Sequence, residues 1–168
     1  MNIRKATQED ISSILNIIKQ AQTYFKENNI DQWQNGYPNY NTIETDINNQ
    51  VSYVVINEDR IVATFMVTSD VEVTYNKIHE GNWISQSNYM VIHRIAVDNN
   101  SKGQGLSGLI INHVAAMAKE IHVKSIRVDT HEDNKSMRKT LLNHGFKECG
   151  VIYLLDGAKR LAYEKLIQ

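Results

Sequence analysis

The 168-residue sequence contains a single cysteine and a single proline. With only Cys149, no internal disulfide can form and no cysteine pair can grip zinc, which predicts a reducing, cytoplasmic setting and no metal. Charge of one sign is also missing: 18 basic side chains face 19 acidic ones, a net charge of -1. That balance offers no general attraction for a phosphate backbone or an anionic lipid surface, so neither a nucleic-acid nor a membrane partner is expected. Nor is there an apolar run of the ~18 residues that a membrane helix needs. The most apolar window, Leu106 to Ile121, is interrupted by Asn112, His113, Lys119 and Glu120. The N-terminal Met1-Asn2-Ile3-Arg4-Lys5-Ala6 lacks the apolar core of a signal peptide. What remains is 42% hydrophobic and 22% charged, an ordinary balance for a soluble globule. At roughly 150 residues per domain the length predicts one domain, residues 1–168.

Periodicity gives the order of elements. Thr7-Gln8-Glu9-Asp10 reads as a capping box, and Ile11, Ile14, Leu15, Ile18 and Ala21 follow at helical spacing, which predicts a helix over about 8–27. A polar loop with Trp33, Gly36, Tyr37 and Pro38 leads to a short helix near Thr42 to Asn49. Two β-rich runs, Ser52 to Asn57 and Arg60 to Thr68, flank Glu58-Asp59 as a hairpin. Residues 70–88 carry no pattern. The β-branched run Tyr89 to Val97 predicts a central strand in which His93 and Arg94 face opposite sides. A turn-rich loop then feeds a helix with Leu106, Leu109, Ile110, His113, Val114 and Met117 on one face. Ser125 to Thr130 reads as a strand and Asn134 to Asn143 as a helix ended by Gly145. Strands at Phe146 to Leu155 and Leu161 to Leu166 close the chain around Asp156-Gly157-Ala158-Lys159. The strand-helix-strand crossover over about 89–130 requires at least one parallel pair.

The chemistry concentrates at Lys102-Gly103-Gln104-Gly105-Leu106-Ser107-Gly108. Small residues between a strand and a helix leave backbone amides unpartnered at the positive end of the helix dipole, a site for a diphosphate. A P-loop is excluded because Leu109, not lysine, follows Gly108. The dinucleotide fingerprint G-x-G-x-x-G matches over 103–108, with Asp129 about 20 residues on, so an NAD(P)-dependent oxidoreductase is one reading. Against it, Asp98 to Lys102 intervene between strand and glycines, and little chain follows Asp129.

The same stretch resembles the GNAT family of acetyl-CoA-dependent N-acetyltransferases, in which a strand ending in a Val-Asp-like step precedes an R/Q-x-x-G-x-G/A signature. Here these are Val97-Asp98 and Lys102 to Ser107, and Asn134, Met137 and Gly145-Phe146 sit at the offsets of the family's N-x-x-A…G-F segment. The resemblance implies an α/β (α+β) fold with a mixed, mostly antiparallel central sheet flanked by helices. It also implies acetyl-CoA as co-substrate and an amine acceptor, on a small molecule or a protein. A homodimer is compatible with it.

The resemblance implies that Ile95, Ala96 and Val97 line the cofactor's pantetheine and that the Ile95 amide polarises the thioester carbonyl. Lys102, Gly103, Gln104, Gly105, Leu106, Ser107 and Gly108 would hold the diphosphate, with Asn134 touching the cofactor. His93 is the expected base, since it alternates onto the face of Val91, Ile95 and Val97 and has an unperturbed pKa of ~6.5. Glu72, Glu80 and His131 are its rivals. Many family members place a tyrosine acid where this chain has Leu141, so the acid is unassigned; Tyr153 is a stand-in, with a sheet-surface role as the simpler alternative. The missing tyrosine also leaves open a non-catalytic acyl-CoA-binding regulator. Arg138 and Lys139 suit either nucleotide phosphates or a basic surface. Trp33, Tyr37 and Trp83 suit either an acceptor pocket or loop packing. Cys149 has no activating neighbour in sequence and reads as a small apolar strand residue.

Overall fold

A computed structural model describes residues 1–168. Seven strands form one sheet in the order β1-β2-β3-β4-β5-β7-β6, numbered along the chain. They are β1 (Asn2–Lys5), β2 (Ser52–Asn57), β3 (Arg60–Thr68), β4 (Tyr89–Val97), β5 (Ser125–Thr130), β6 (Lys147–Tyr153) and β7 (Lys159–Leu166). The helices are α1 (Ile11–Glu27), α2 (Tyr40–Asn48), α3 (Leu106–Glu120) and α4 (Lys135–Asn143). The β1–β2, β2–β3, β5–β7 and β6–β7 pairs are antiparallel and β4–β5 is parallel, as the crossover requires.

The chain divides into two compact units, the divisions falling within β4 and within α3. The first comprises Met1–Val67 and His93–Leu109, the second Thr68–Ile92 and Ile110–Gln168. In the first, the apolar stripe of α1 (Ile11, Ile14, Ile17, Ile18) packs with Ile43 and Ile47 of α2, Val54 of β2 and Ala96 of β4. The helix begins later than its capping signal: Gln8–Asp10 form a 3-10 turn, and the Asp10 carboxylate accepts the Thr7 amide at 2.7 Å. A fork from Arg4, at 2.7 and 3.0 Å, holds that carboxyl below the usual range. The β2–β3 hairpin has its expected bounds, and Glu58 and Asp59 take the positive φ (48° and 62°) that a two-residue turn needs although neither is glycine.

β1 is an element the sequence pattern does not announce; its Asn2 to Lys5 pair with Ile56 to Tyr53. α2 starts two residues before the predicted Thr42, because the Asn39 side chain caps it by accepting the Thr42 amide at 3.1 Å. In the second unit, Tyr75, Trp83, Val91, Cys149, Ile152 and Ala162 form a core cluster, so Tyr75 and Trp83 anchor the otherwise mostly exposed stretch 70–88. It lies close against β6: a Cβ at Gly81 would sit 2.0 Å from the Cys149 carbonyl oxygen, and His79 and Val151 exchange two backbone hydrogen bonds of 2.8 Å. On α3, Leu109 departs from the predicted buried face, being 37% exposed, whereas Ile111 and Ala118 are fully buried. β6 is shorter and β7 longer than their sequence patterns, and Gly157, at φ +85°, follows the turn at Leu155 and Asp156.

Candidate functional site

Within the first unit, β4 runs through Ile95, Ala96 and Val97 to a 3-10 turn at Asn99–Ser101, then to the glycine loop and the mouth of α3. Gly103 and Gly105 have φ of +79° and +74°, a region that L side chains rarely enter. A Cβ at either would meet no atom within 4 Å, so these glycines serve loop conformation rather than internal packing. The Leu109 amide bonds the Gly105 carbonyl at 3.0 Å and closes the first turn. The amides of Leu106, Ser107 and Gly108 therefore precede any intrahelical acceptor and sit at the positive end of the dipole. An open loop with unclaimed amides at a helix mouth fits a diphosphate. The Lys102 ammonium rests 4.8 Å from the centre of the Tyr24 ring, a cation–π contact that holds a positive charge beside the loop.

Gln20 of α1 fixes the entry to this loop. Its amide donates to Asp98 at 3.0 Å and its carbonyl accepts the Asn99 amide at 2.7 Å, while Asp98 also accepts the Asn100 amide at 3.0 Å. Asp98 is buried, so these contacts replace its water. Gln20 lies 78 residues before Asp98, and no spacing pattern joins the two.

β4 itself is irregular. Arg94, in mid-strand, has φ +55°, a left-handed kink in the extended backbone that turns the peptide after it, which is that of Ile95. A non-glycine residue held there costs about 1–3 kcal/mol and persists only where its surroundings fix it. The simple alternation that groups His93 with Ile95 and Val97 is therefore interrupted between them. Arg94 reaches Asp46 of α2 through Nε and Nη2 at 2.8 and 2.6 Å, and its Nη1 donates to the Tyr37 hydroxyl. Burial pushes the Asp46 carboxyl up, and Arg94 and His93 pull it back down. His93 is half-buried and close enough to Asp46 to act on it electrostatically. The β4–β5 ladder consists of Tyr89, Met90 and Val91 with Ser125, Ile126 and Arg127; its last pair is Val91 with Arg127, while both strands continue.

The second unit holds the remaining candidates. Asn134 is buried and caps α4, its side-chain oxygen accepting the Met137 amide at 3.2 Å. Leu141 is fully buried and aliphatic. Glu72 caps a 3-10 turn through the Thr74 amide and hydroxyl, and Glu80 is exposed. His131 accepts the Asp133 amide at 3.1 Å through Nδ1. Tyr153 is 44% exposed, edge-on to His79 at 5.2 Å. Arg138 bonds the Tyr163 hydroxyl at 3.2 Å and the Glu132 carbonyl at 2.9 Å, and with Lys135, Lys139, Leu142 and Asn143 it lines a cavity of about 230 Å³. Burial pushes the Cys149 thiol up, the opposite of what a nucleophile needs.

The aromatic candidates divide. Trp83 is buried, donates to the Tyr75 carbonyl at 2.9 Å and stacks on Arg127 at 4.1 Å, so it has the loop-packing role. Trp33 meets Phe25 edge-on at 5.6 Å, and Tyr37 is 39% exposed beside Arg94. A buried polar cluster around Glu164 leaves no mark in the sequence pattern. The Glu164 carboxylate accepts the Ile84 amide at 2.6 Å, the Ser85 amide and hydroxyl at 3.2 Å and Arg127 Nε at 3.2 Å, pinning the 70–88 segment. No group of three or more His, Cys, Asp or Glu side chains is arranged to hold a metal, and no helix is long and apolar enough to cross a membrane.

Comparison with known proteins identifies the fold and the family. Residues 15–146 match the family model described as acetyltransferase (GNAT) family. A crystal structure of a GNAT-family acetyltransferase from Streptococcus agalactiae is 34% identical, with a TM-score of 0.90 over 99% of this chain and 95% of that one. A GNAT-family acetyltransferase from Listeria monocytogenes shares 20% identity and a TM-score of 0.74 over 98% of this chain and 94% of its own. A ribosomal-protein-alanine N-acetyltransferase from Brucella melitensis shares 17% identity and a TM-score of 0.70, with 99% of both chains covered. No curated protein sequence matches the chain.

Proposed function

Because the chain belongs to the GNAT acetyltransferase family, we propose that it is an N-acetyltransferase that passes an acetyl group from acetyl-CoA directly to a primary amine in a ternary complex. The acceptor amine is on a small molecule or a protein. The observation that carries this reading is the glycine loop, open, left-handed at Gly103 and Gly105, and leading straight into α3. The family match is what favours coenzyme A over a nicotinamide dinucleotide as its ligand.

Acetyl-CoA supplies the acetyl group as a thioester. The amides at the mouth of α3, with Lys102, Gly103, Gln104 and Gly105 before them, hold the diphosphate. Ile95, Ala96 and Val97 line the pantetheine arm. The Ile95 amide donates a hydrogen bond to the carbonyl oxygen as negative charge gathers there. His93 takes the proton that the attacking amine must lose. The C–N bond forms as the C–S bond breaks. Leu141 has no proton to offer, so the leaving thiolate is protonated from solvent.

A panel of primary amines with acetyl-CoA, read by release of free thiol, tests the proposal. Amine-dependent release is expected, and His93→Gln should slow it and flatten its pH profile while leaving acetyl-CoA affinity unchanged. A second reading, a regulator that binds acyl-CoA without turnover, is favoured by Leu141 alone. Tight acetyl-CoA binding with no amine-dependent thiol release would support it.

A further inference from the structure

Arg94 combines two features that are each costly and that occur together in one residue. Its backbone is left-handed, φ +55°, in the middle of β4, although its Cβ disfavours that conformation. Its guanidinium is held at three points, by a fork on Asp46 at 2.8 and 2.6 Å and by the Tyr37 hydroxyl. The side chains of Arg94 and Asp46 are only 11% and 9% exposed, so little water competes for the pair. An ion pair that merely joined α2 to β4 would be served by an arginine in ordinary extended backbone. A left-handed kink alone would be served by glycine, which takes positive φ freely. Arginine at this position serves both, because its fork fixes the side chain and thereby holds the backbone where it would not rest unaided.

We propose that Arg94 is a positioning residue for acetyl transfer. Anchored by Asp46, it holds the left-handed kink that aims the Ile95 amide at the reacting carbonyl. Through Tyr37 the same guanidinium ties the loop before α2 to this anchor, so that loop and amide move together. The inference rests on the transferase reading above. It adds that the aim of the amide is set by a side-chain contact 48 residues away in sequence.

The test compares Arg94→Ala, Arg94→Gly, Asp46→Asn and the Arg94→Ala/Asp46→Asn double variant on an amine that the wild-type protein acetylates. Arg94→Ala should lower kcat about 100-fold, the scale of a misplaced oxyanion donor, with KM for acetyl-CoA within about twofold. Arg94→Gly should recover about tenfold of that loss, because glycine takes the left-handed backbone without the fork. A role in packing alone predicts the reverse order, since glycine loosens a strand. Asp46→Asn should lower kcat without any change at residue 94. Should it unfold with Arg94 left unpaired, the double variant, which buries no lone charge, carries the same comparison and should match Arg94→Ala. Equal kcat for the alanine and glycine variants, a loss confined to KM for acetyl-CoA, or full activity in the double variant would overturn the inference and leave the transferase reading intact. A wild-type protein that neither binds acetyl-CoA nor releases thiol would overturn both.

Discussion

Removing the Glu164 side chain should be among the most damaging single changes to this protein. Its carboxylate is fully buried and accepts from Arg127, from the Ser85 hydroxyl and from the amides of Ile84 and Ser85. Arg127 is itself 5% exposed, clamped between Trp83 at 4.1 Å and Tyr89 at 4.0 Å, with a further bond to the Ser85 carbonyl at 2.7 Å. Glu164→Ala strips a buried cation of its counter-charge, a loss of about 3–5 kcal/mol. The abandoned Ile84 amide pushes the loss toward the upper end. Native domains have only about 5–15 kcal/mol to lose. Replacing both partners, as Arg127→Met/Glu164→Leu, removes the lone charge, so its loss should fall short of the sum of the two single losses by about 2–3 kcal/mol. Urea unfolding followed by tryptophan fluorescence measures all four corners of the cycle, and Trp83, stacked on Arg127, reports the site itself. A loss below about 1 kcal/mol for Glu164→Ala, the scale of an exposed pair, or additive losses in the double variant, would refute the reasoning.

Gly105→Ala meets no atom, so its cost is conformational, about 1–2 kcal/mol from φ +74°; unfolding should show that loss and calorimetry a weaker grip on acetyl-CoA. Tyr163 donates to Glu148 at 2.8 Å, and burial with that carboxylate pushes its phenol up to about 12. A folded-state value raised above the unfolded one means that its contribution is complete below pH 10 and is lost as pH rises through about 12. Alkaline unfolding midpoints should therefore fall over that window more steeply in the wild-type protein than in Tyr163→Phe.

Where local pattern decides structure, the sequence is readable. The α1 stripe, the hairpin and the β4-to-α3 passage are fixed by periodicity, turn chemistry and glycine conformation, and they carry the glycine loop with them. β1 escapes notice because Asn2-Ile3-Arg4-Lys5 contains one apolar residue and becomes a strand only by pairing with β2. Residues 70–88 have no period because side chains from distant strands hold them, Glu164 above all. The Arg94–Asp46 fork and the Gln20 latch join residues 48 and 78 positions apart, beyond any spacing rule. A left-handed arginine within a strand leaves no trace in propensity, and for that reason alternation misjudges β4 between His93 and Ile95.

Calorimetric titration of the wild-type protein and of Ser107→Glu with acetyl-CoA, and in parallel with NADH, goes most directly to the ligand of the glycine loop. Glutamate at the second position of α3 suits the helix dipole, so the fold should survive while like charge repels the diphosphate. One saturable acetyl-CoA site, lost in the variant, with no NADH binding, is the expected result. Saturable NADH binding, or acetyl-CoA affinity untouched by Ser107→Glu, would contradict it.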